Sequence, residues 1–408
     1  MQQVISCGYP YNYDNVNTTY TLLCPGGAFV FTTESAIIQS VVSAPGTISK
    51  LYFKLTAAPG AGKSVTFTVR KNGIDTSLSV TISGTDTTGS DLVNSIAVSA
   101  GDLLSVKCVP SGTPTASQPK WSIMFTGTNA KESNLFSGGY TSTSLTYYFH
   151  AFGGLTGEAS GTEADAYQVI PTAGTLRDLY ISLDVDPGTS PDAYSFTLRK
   201  NGVNQSLTVT ITADNKTGND VSNTVSVSPG DYIDIMCVPL NSPATACYVN
   251  LSMTFVADVD GESLILGGTY DDLSASATEY NALLTSVAND LWSATESANQ
   301  DLGQVCVLRK LYVKLSGTAG SAKGYTFSVR KNSASPAGTL SVSITGASDT
   351  TGNDVSNSVS VANGDVLNLM VAPLSSPTVR DAYWGLVCYI APPVSILSAP
   401  VCFDMAVV

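Results

Sequence analysis

The order of apolar and polar residues along the chain predicts β-strands. In residues 66–73, Phe67 and Val69 alternate with threonines and an arginine, which is the two-residue period of a strand with one solvated face. Lys-Asn-Gly then supplies residues that tolerate positive φ, and a second alternating run follows at residues 78–82. The segment therefore predicts a β-hairpin.

The hairpin pattern occurs three times in the chain. The copies are Thr66–Gly73, Ser195–Gly202 and Thr326–Ser333, with arginines at Arg70, Arg199 and Arg330. Steps of roughly 130 residues have the size of a whole domain. We therefore predict three domains in the 408-residue chain, at residues 1–130, 131–260 and 261–408, the last with a closing segment at 393–408.

Each repeat carries roughly seven or eight alternating runs, with turn residues about every ten positions, which is typical of an all-β sandwich. Helical periodicity is nearly absent, and only Ser286–Gln300 favours a turn or two of helix. We predict an all-β protein of three tandem, homologous, jelly-roll-like β-sandwich domains. An immunoglobulin-like sandwich is the alternative, and the lack of a Cys…Trp…Cys pattern disfavours it.

The amino-acid composition limits the classes of partner that the protein can bind. Charged residues make up 12% of the sequence and the formal net charge is −13, whereas a typical protein has about 25% charged residues. An acidic surface without a basic cluster repels phosphate backbones, so we expect no nucleic-acid partner. No apolar run approaches the ~18 residues of a membrane span, so no membrane partner is expected. The first residues lack the basic start and apolar core of a secretory signal.

The eight cysteines do not repeat as a framework. Cys108 and Cys237 occupy equivalent positions, where the third repeat has Val371. This exchange indicates buried thiols that act as small hydrophobic side chains. The other cysteines are scattered without a CxxC spacing, so no metal site is predicted, and their pairing into disulfides stays open.

Paired aspartates recur in one loop of each repeat and are the best candidates for a bound cation. They are Asp86 and Asp91, Asp214 and Asp220, and Asp349 and Asp354. Calcium requires several oxygen ligands from one loop. Asp beside Gly is also typical of plain turns, in which the carboxylate accepts hydrogen bonds from the local backbone. The spacing matches no EF-hand loop, so turn chemistry is the preferred interpretation.

One glutamate recurs in each repeat together with the hairpin arginine. These glutamates are Glu34, Glu163 and Glu296. In a chain so poor in charge, their recurrence predicts ion pairs with the arginines, across the sheet or at a domain junction, and a role in ligand contact is the alternative. Glycoside hydrolysis would require a second acid close to one of them, and the sequence reveals none.

The chain has one histidine, His150, and contains neither a Gly-x-Ser-x-Gly elbow nor a Walker loop. A single histidine is too few for a His-rich metal centre and leaves one base for a catalytic triad. We therefore predict no catalytic, cofactor-binding or metal-binding residues, no cofactor and no enzymatic activity.

Tyrosines cluster at the start of the first two repeats. They are Tyr9, Tyr11, Tyr13 and Tyr20 in the first repeat and Tyr140, Tyr147 and Tyr148 in the second. Tyrosine rings form stacking platforms for sugars, and they equally fill interfaces with the ring buried and the hydroxyl hydrated. A role in domain interfaces is the preferred interpretation.

The order of these motifs resembles the β-sandwich repeats of bacteriophage virion proteins. The series is Thr-Phe-Thr-Val-Arg-Lys-Asn-Gly, Leu-x-Val-Thr-Ile, Thr-Gly-Asn-Asp, Val-Ser-x-Gly-Asp and a Pro-rich loop, and it covers residues 20–128, 147–258 and 280–392. That group comprises capsid decoration and tail-associated proteins with jelly rolls similar to the heads of C1q and tumour necrosis factor. Such heads act as homotrimers, so the resemblance implies a trimer fused into one chain around a pseudo-threefold axis. An extended string of three domains is the alternative.

The resemblance implies a non-enzymatic structural protein of a virion. The main hypothesis is a capsid decoration protein that contacts the major capsid protein or other virion subunits. A receptor-binding or carbohydrate-binding module of a tail fibre or cell-surface adhesin, with host surface glycans as ligands, is the alternative. A secreted enzyme is a third hypothesis, and the residue inventory disfavours it.

Overall fold

A computed structural model describes residues 1–8, 11–24, 30–153, 159–284, 291–335 and 338–392. The strands in these ranges form six antiparallel sheets that fall into three similar pairs. The prediction of an all-β protein with three tandem sandwich domains is therefore confirmed. No helix in these ranges has the length and apolar character that a membrane crossing requires. Tyr9, Cys402 and the closing segment 393–408 lie outside the described residues.

The first domain is built from the strands that precede residue 128. They are β1 (Gln2–Gly8), β2 (Thr19–Leu22), β3 (Ser40–Val41), β4 (Gly46–Leu55), β5 (Gly60–Lys71), β6 (Ile74–Gly84), β7 (Thr88–Val98), β8 (Leu103–Ser111) and β9 (Pro119–Gly127). One sheet has the order β1-β9-β4-β7, and the other has the order β2-β8-β5-β6 with the short β3 paired to β8.

The second and third domains repeat this arrangement. The second contains β10 (Glu132–Tyr140), β11 (Tyr147–Phe149), β12 (Gln168–Val169), β13 (Gly174–Leu183), β14 (Ala193–Lys200), β15 (Val203–Thr212), β16 (Thr217–Val227), β17 (Tyr232–Leu240) and β18 (Tyr248–Ala257). The third contains β19 (Glu262–Thr269), β20 (Glu279–Asn281), β21 (Asp301–Leu302), β22 (Cys306–Leu315), β23 (Gly320–Lys331), β24 (Ser341–Gly346), β25 (Thr351–Val361), β26 (Val366–Leu374) and β27 (Ala382–Tyr389).

The strand orders are those of a jelly roll. The sheets read β10-β18-β13-β16 and β11-β17-β14-β15 in the second domain, and β19-β27-β22-β25 and β20-β26-β23-β24 in the third. Successive strands therefore cross between two packed sheets, except in the hairpins β5–β6, β14–β15 and β23–β24, whose strands pair within one sheet. The short β3, β12 and β21 likewise share a sheet with the strand before them. The inner faces of the two sheets form the core: in the first domain the ring of Phe53 on β4 stacks on that of Phe67 on β5, with centroids 4.1 Å apart.

The repeated hairpin folds as predicted. A two-residue turn joins β5 to β6, in which Asn72 has a φ of 51° and Gly73 a φ of 77°. Both residues are in the left-handed region, as this type of hairpin turn requires. Asn201 and Gly202 repeat the turn with φ values of 53° and 74°, whereas the third copy places Ser333 at 59°.

A short 3₁₀ helix precedes the two-residue strand of each domain. These helices are Ala36–Ile38, Glu163–Ala166 and Glu296–Ala298. Of the helix predicted at Ser286–Gln300, the described part is helical only at Glu296–Ala298. Residues 285–290 lie outside the described ranges.

The cysteines take two roles. Cys7 and Cys24 form a disulfide in the first domain. Cys108 and Cys237 are buried thiols in the cores of their domains, on strands that pair with the central strands β5 and β14. The prediction that these two thiols serve as small hydrophobic side chains is confirmed.

The three domains contact one another in a ring. We use "seam segment" for the 3₁₀ helix, the two-residue strand and the turn after it, at residues 35–45, 162–173 and 295–305. The seam segment of the first domain packs on β10, β13 and β18, that of the second on β19, β22 and β27, and that of the third on β1, β4 and β9. The third domain therefore contacts the first, which excludes an extended string. The repeated head-to-tail contact closes, and the chain is a pseudo-trimer.

Candidate functional site

Each domain has one arginine-centred cluster at the predicted position. The guanidinium Nε contacts the recurring glutamate in all three pairs: Arg70–Glu34 at 2.9 Å, Arg199–Glu163 at 2.6 Å and Arg330–Glu296 at 2.7 Å. A tyrosine ring lies against each guanidinium, with centroid distances of 5.4 Å for Tyr20, 5.9 Å for Tyr148 and 5.7 Å for Tyr280. The predicted ion pairs are confirmed, and each lies within one domain.

The arginine joins two elements of its domain. Its Nη2 donates to the carbonyl oxygen at the tip of the hairpin, which belongs to Gly73 in the first domain and to Gly202 in the second. The same side chain binds the glutamate at the 3₁₀ helix, so the hairpin and the helix are held together by charge-assisted hydrogen bonds. Because that helix is part of the seam segment, the cluster also supports the contact between domains.

One position beside the cluster differs in every domain. The residue opposite the arginine on the neighbouring strand is Ser105 in the first domain, Asp234 in the second and Asn368 in the third. Ser105 Oγ donates to the Glu34 carboxylate at 2.5 Å, and Asn368 Nδ2 donates to the main-chain carbonyl of Glu296 at 3.3 Å. The second domain instead places a second carboxylic acid here.

Asp234 is fully buried, and no donor in the described part of the chain reaches either of its carboxyl oxygens. Burial and the nearby charge of Glu163 raise the pKa of Asp234 to about 8, and Arg199 opposes this shift. A second acid near the recurring glutamate therefore exists in one domain, although the sequence patterns did not reveal it. The available signal was an acid in one repeat where the others have Ser105 and Asn368.

The second aspartate of each pair lies within an edge strand, β7, β16 or β25, and not in the predicted loop, and hydrogen-bond donors occupy its carboxylate. Asp220 accepts hydrogen bonds from the backbone N–H groups of Thr208, Ser222 and Asn223 and from the Asn223 side chain, at 2.9 to 3.1 Å. Burial disfavours its ionisation, but these bonds outweigh burial and lower the pKa of Asp220. The same four-donor arrangement recurs at Asp91 and Asp354. Turn chemistry is therefore confirmed for these residues.

The first aspartate of each pair lies in the loop between β6 and β7, between β15 and β16, or between β24 and β25. These residues are Asp86, Asp214 and Asp349. Among the described residues, no group of three or more His, Cys, Asp or Glu side chains is placed to hold a metal ion.

His150 is buried at the 2–3 seam, the contact between the second and third domains. Burial lowers the pKa of His150 to about 4, against the effect of a backbone hydrogen bond with Asp165. The imidazole is therefore neutral at pH 7. The imidazole lies close to Gly268 of the third domain, where an added Cβ would be 3.4 Å from His150 Nε2. Within the described ranges, Nε2 has no hydrogen-bond partner.

Three of the clustered tyrosines do not occupy the predicted interfaces. Tyr13 is part of the core of the first domain, and Tyr20 and Tyr148 lie against the arginines of their own domains. The interface prediction is wrong for these three residues. Tyr167 and Tyr383 meet across the 2–3 seam instead, with ring centroids 5.7 Å apart.

Asn134 on β10 is central to the 1–2 seam. Its Oδ1 accepts hydrogen bonds from the backbone N–H and the hydroxyl of Ser43, both at 2.9 Å, and from the N–H of Ala44 at 2.8 Å. Its backbone exchanges two further hydrogen bonds with the side chain of Gln3. One amide therefore satisfies buried polar groups that folding would otherwise leave unpaired.

Glu262 on β19 is central to the 2–3 seam and is fully buried. Its carboxylate accepts a hydrogen bond from the hydroxyl of Thr172 in the second domain at 2.5 Å. It also pairs with Arg309 at 2.6 Å and Lys310 at 2.7 Å in its own domain. Burial disfavours its ionisation, but hydrogen bonds from Lys310 and Thr172 outweigh burial and lower the pKa of Glu262.

The 3–1 seam closes the ring. The backbone N–H of Leu302 donates to Ser6 Oγ at 2.9 Å. Gln304 Nε2 donates to the carbonyl oxygen of Lys50 at 2.8 Å and to Ser122 Oγ at 3.2 Å. These are bonds between the last and first domains, so the ring does not depend on a linker at this point.

The three seams are equivalent in position and different in chemistry. Lys120, Asn250 and Tyr383 occupy the same register position in their domains. Lys120 Nζ reaches the carbonyl oxygen of Ser297 at 3.5 Å, Asn250 Nδ2 reaches that of Ala36 at 2.8 Å, and Tyr383 packs on Tyr167. Distinct partners at each seam favour one order of the domains over the others.

No protein-family model matches the chain, and no curated protein matches it. The resemblance to bacteriophage virion proteins therefore stays a prediction. The features that distinguish this chain are the closed ring of jelly rolls, the three arginine-centred clusters and the additional acid of the second domain.

Proposed function

We propose that this chain is a non-enzymatic structural protein of a virus particle, a decoration protein that binds the capsid of a bacteriophage. The closed ring is the observation that carries the proposal, because it repeats one outer surface three times around a pseudo-threefold axis. Jelly rolls are common in viral shells. A shell offers threefold and quasi-threefold positions, where three linked copies bind with the avidity of a trivalent ligand.

A repeated apolar residue favours one surface for this contact. Each four-donor aspartate is followed by an exposed aliphatic residue on the outer edge strand of its sheet: Leu92, Val221 and Val355, with exposures of 56%, 56% and 55%. Between the aspartate and the next paired residue the edge strand bulges out of register, so these side chains project. A single exposed apolar residue is ordinary, but the repetition of one at the same position in all three domains favours that position as the contact. We place the contact with capsid subunits at these three residues.

Co-sedimentation with capsids tests this proposal. The purified chain is mixed with capsids of the virus whose genome encodes it, and we expect saturable binding at many copies per capsid. The triple variant Leu92→Ser, Val221→Ser, Val355→Ser is expected to bind at least tenfold more weakly. Val16→Ser is the matched control, because Val16 is 68% exposed and the corresponding residues are Ser144 and Ser276.

Absence of binding to capsids would contradict the proposal. Equal binding by the triple variant and the control would place the contact elsewhere on the molecule. Binding to host surface glycans without binding to capsids would favour a receptor-binding module instead.

A further inference from the structure

Charge is balanced around the hairpin arginine in two domains and not in the second. In the first domain two bases face two acids: Arg70 and Lys107 contact Glu34 and Asp75. In the third domain one base faces one acid, Arg330 and Glu296. In the second domain Met236 replaces Lys107 in the strand register and Asp234 adds an acid, so Arg199 alone faces two carboxyl groups.

Among the described residues, no other cation contacts the carboxyl group of Asp234. The charged and titratable groups around it are Glu163 and Tyr167 from the seam segment, Arg199 from β14, Tyr232 from its own strand, Tyr148 over Arg199, and Lys314 of the third domain, 5.0 Å from the Tyr232 ring centroid. Arg199 already donates to both carboxylate oxygens of Glu163, at 2.6 and 3.0 Å. Arg199 is therefore engaged by Glu163, and the carboxyl group of Asp234 has no hydrogen-bond donor in the described part of the chain.

A buried carboxyl group beside a second carboxyl group ionises only at a high cost, so it tends to keep its proton. We propose that the buried Asp234 holds a proton at neutral pH where it faces Glu163, and that loss of this proton to solvent base releases the 3₁₀ helix Glu163–Ala166 and loosens the 2–3 seam. The contact of the second domain with the third is thus sensitive to pH through Asp234.

The helix is the element that moves, because Asp234 is fixed in the central strand β17. Glu163 begins the helix, and the helix packs on β19 of the third domain. Tyr167 follows it, and its ring lies 4.3 Å from that of Tyr232 and 5.7 Å from that of Tyr383. Repulsion at Glu163 therefore acts directly on the residues that form the seam.

The direction of the pH effect follows from the raised pKa of Asp234, about 8 in the folded protein. The folded state holds this proton more tightly than the unfolded chain, in which an aspartate titrates near 3.9. The stabilisation is complete below that value and is lost as pH rises to about 8. We therefore expect a closed seam at pH 6 and an opened one at pH 9.

Hydrogen exchange in the full chain measures the opening. Backbone exchange of peptides covering residues 160–172 is compared at pH 6 and pH 9 after correction for the intrinsic rate. In the unmodified chain we expect protection to fall by up to about a hundredfold, because an opening that releases one proton lowers protection about tenfold per pH unit between pH 6 and the pKa near 8, and no further above it. Asp234→Asn copies the third domain at this position and is expected to keep its protection. Infrared difference spectra should show a protonated carboxyl band at pH 7 that Asp234→Asn removes.

The reciprocal variant keeps the proposal testable if Asp234→Asn does not fold. Asn368→Asp installs the second acid in the third domain, and we expect it to add a loss of protection at residues 294–304 beyond that of the unmodified chain, in which burial already raises the pKa of Asp301 to about 7. Equal pH responses of the unmodified chain and Asp234→Asn would overturn the proposal. So would a pH-independent seam in both the unmodified chain and Asn368→Asp.

Discussion

The side-chain amide of Gln304 donates a hydrogen bond to the main-chain carbonyl of Lys50 at 2.8 Å, which joins the last domain to the first. Lys50 is the bulge residue of β4 and has a φ of 52°. A bulge leaves its residue outside the strand ladder, so the carbonyl is free to bind across the seam. Lys310 has the same conformation, with a φ of 56°, and its Nζ donates to Thr172 at the 2–3 seam. One local irregularity therefore serves two different seams.

Replacing Asn134 tests the 1–2 seam. Asn134→Leu copies Leu264, which has the equivalent register position in the third domain, so the variant suits the strand. It leaves the N–H groups of Ser43 and Ala44 without their acceptor, and we expect a loss of about 2–4 kcal/mol in the free energy of unfolding. Urea denaturation measures the loss, and hydrogen exchange at residues 42–46 locates it.

Ser133→Ala is the control for that experiment. Its hydroxyl donates to the carbonyl of Phe255 inside the second domain, at 3.3 Å. We expect a smaller loss in the denaturation midpoint and unchanged exchange at residues 42–46. If Asn134→Leu unfolds at the midpoint of the unmodified chain, the 1–2 seam does not depend on this amide.

Ser333→Gly is expected to stabilise the third domain. Ser333 has a φ of 59° at the hairpin position where the first domain has Gly73. A left-handed conformation costs a residue with a Cβ about 1–2 kcal/mol, and the greater freedom of glycine in the unfolded chain offsets part of the gain. We expect a net gain of about 0.5–1 kcal/mol in urea denaturation. Gly73→Ser should destabilise the first domain. If both variants unfold at the midpoint of the unmodified chain, the left-handed hairpin position imposes no strain on a residue with a Cβ.

Asp220→Asn is expected to destabilise the second domain. The carboxylate accepts four hydrogen bonds, and an amide presents one oxygen to the same donors, so a loss of about 1–3 kcal/mol follows. Because these bonds lower the pKa of Asp220, its contribution is present above the ordinary value near 3.9 and is lost as pH falls below that value. The difference in denaturation midpoint between variant and unmodified chain should therefore shrink from pH 6 to pH 3.

Calcium is expected to leave the thermal midpoint unchanged. The oxygens of Asp91, Asp220 and Asp354 already accept N–H groups, so a cation would have to displace several hydrogen bonds at each loop. Titration calorimetry with calcium, and thermal unfolding with and without a chelator, measure this. A saturable heat that Asp220→Asn abolishes would show a cation site in the loop.

Features that depend on neighbouring residues could be predicted from the sequence. The period-two alternation specified the strands and hairpins, because it determines which side chains reach the core. The pairing of Glu163 with Arg199 was predictable because charged residues are rare and both recur. The same alternation does not tell whether a ring enters the core or a seam. The position of Tyr13 in the core could therefore not be predicted from it.

Features that depend on how the domains meet could not be predicted. Asn134 and Gln304 are single polar residues whose partners lie in another domain, and no local pattern marks them. Asp234 lies in an otherwise apolar strand, and its effect arises only because the fold brings Glu163 beside it. Positions that differ between otherwise equivalent repeats mark these sites better than positions that recur.

Small-angle X-ray scattering of the purified chain measures ring closure most directly. A compact particle of 408 residues has a radius of gyration of roughly 22 Å, whereas three such domains in a line give about 30 Å or more. We expect a radius of gyration of roughly 22 Å. The Gln304→Ala variant should differ little from this value below pH 7, because the other contacts of the ring remain. A radius of about 30 Å or more for the unmodified chain would contradict the closed ring.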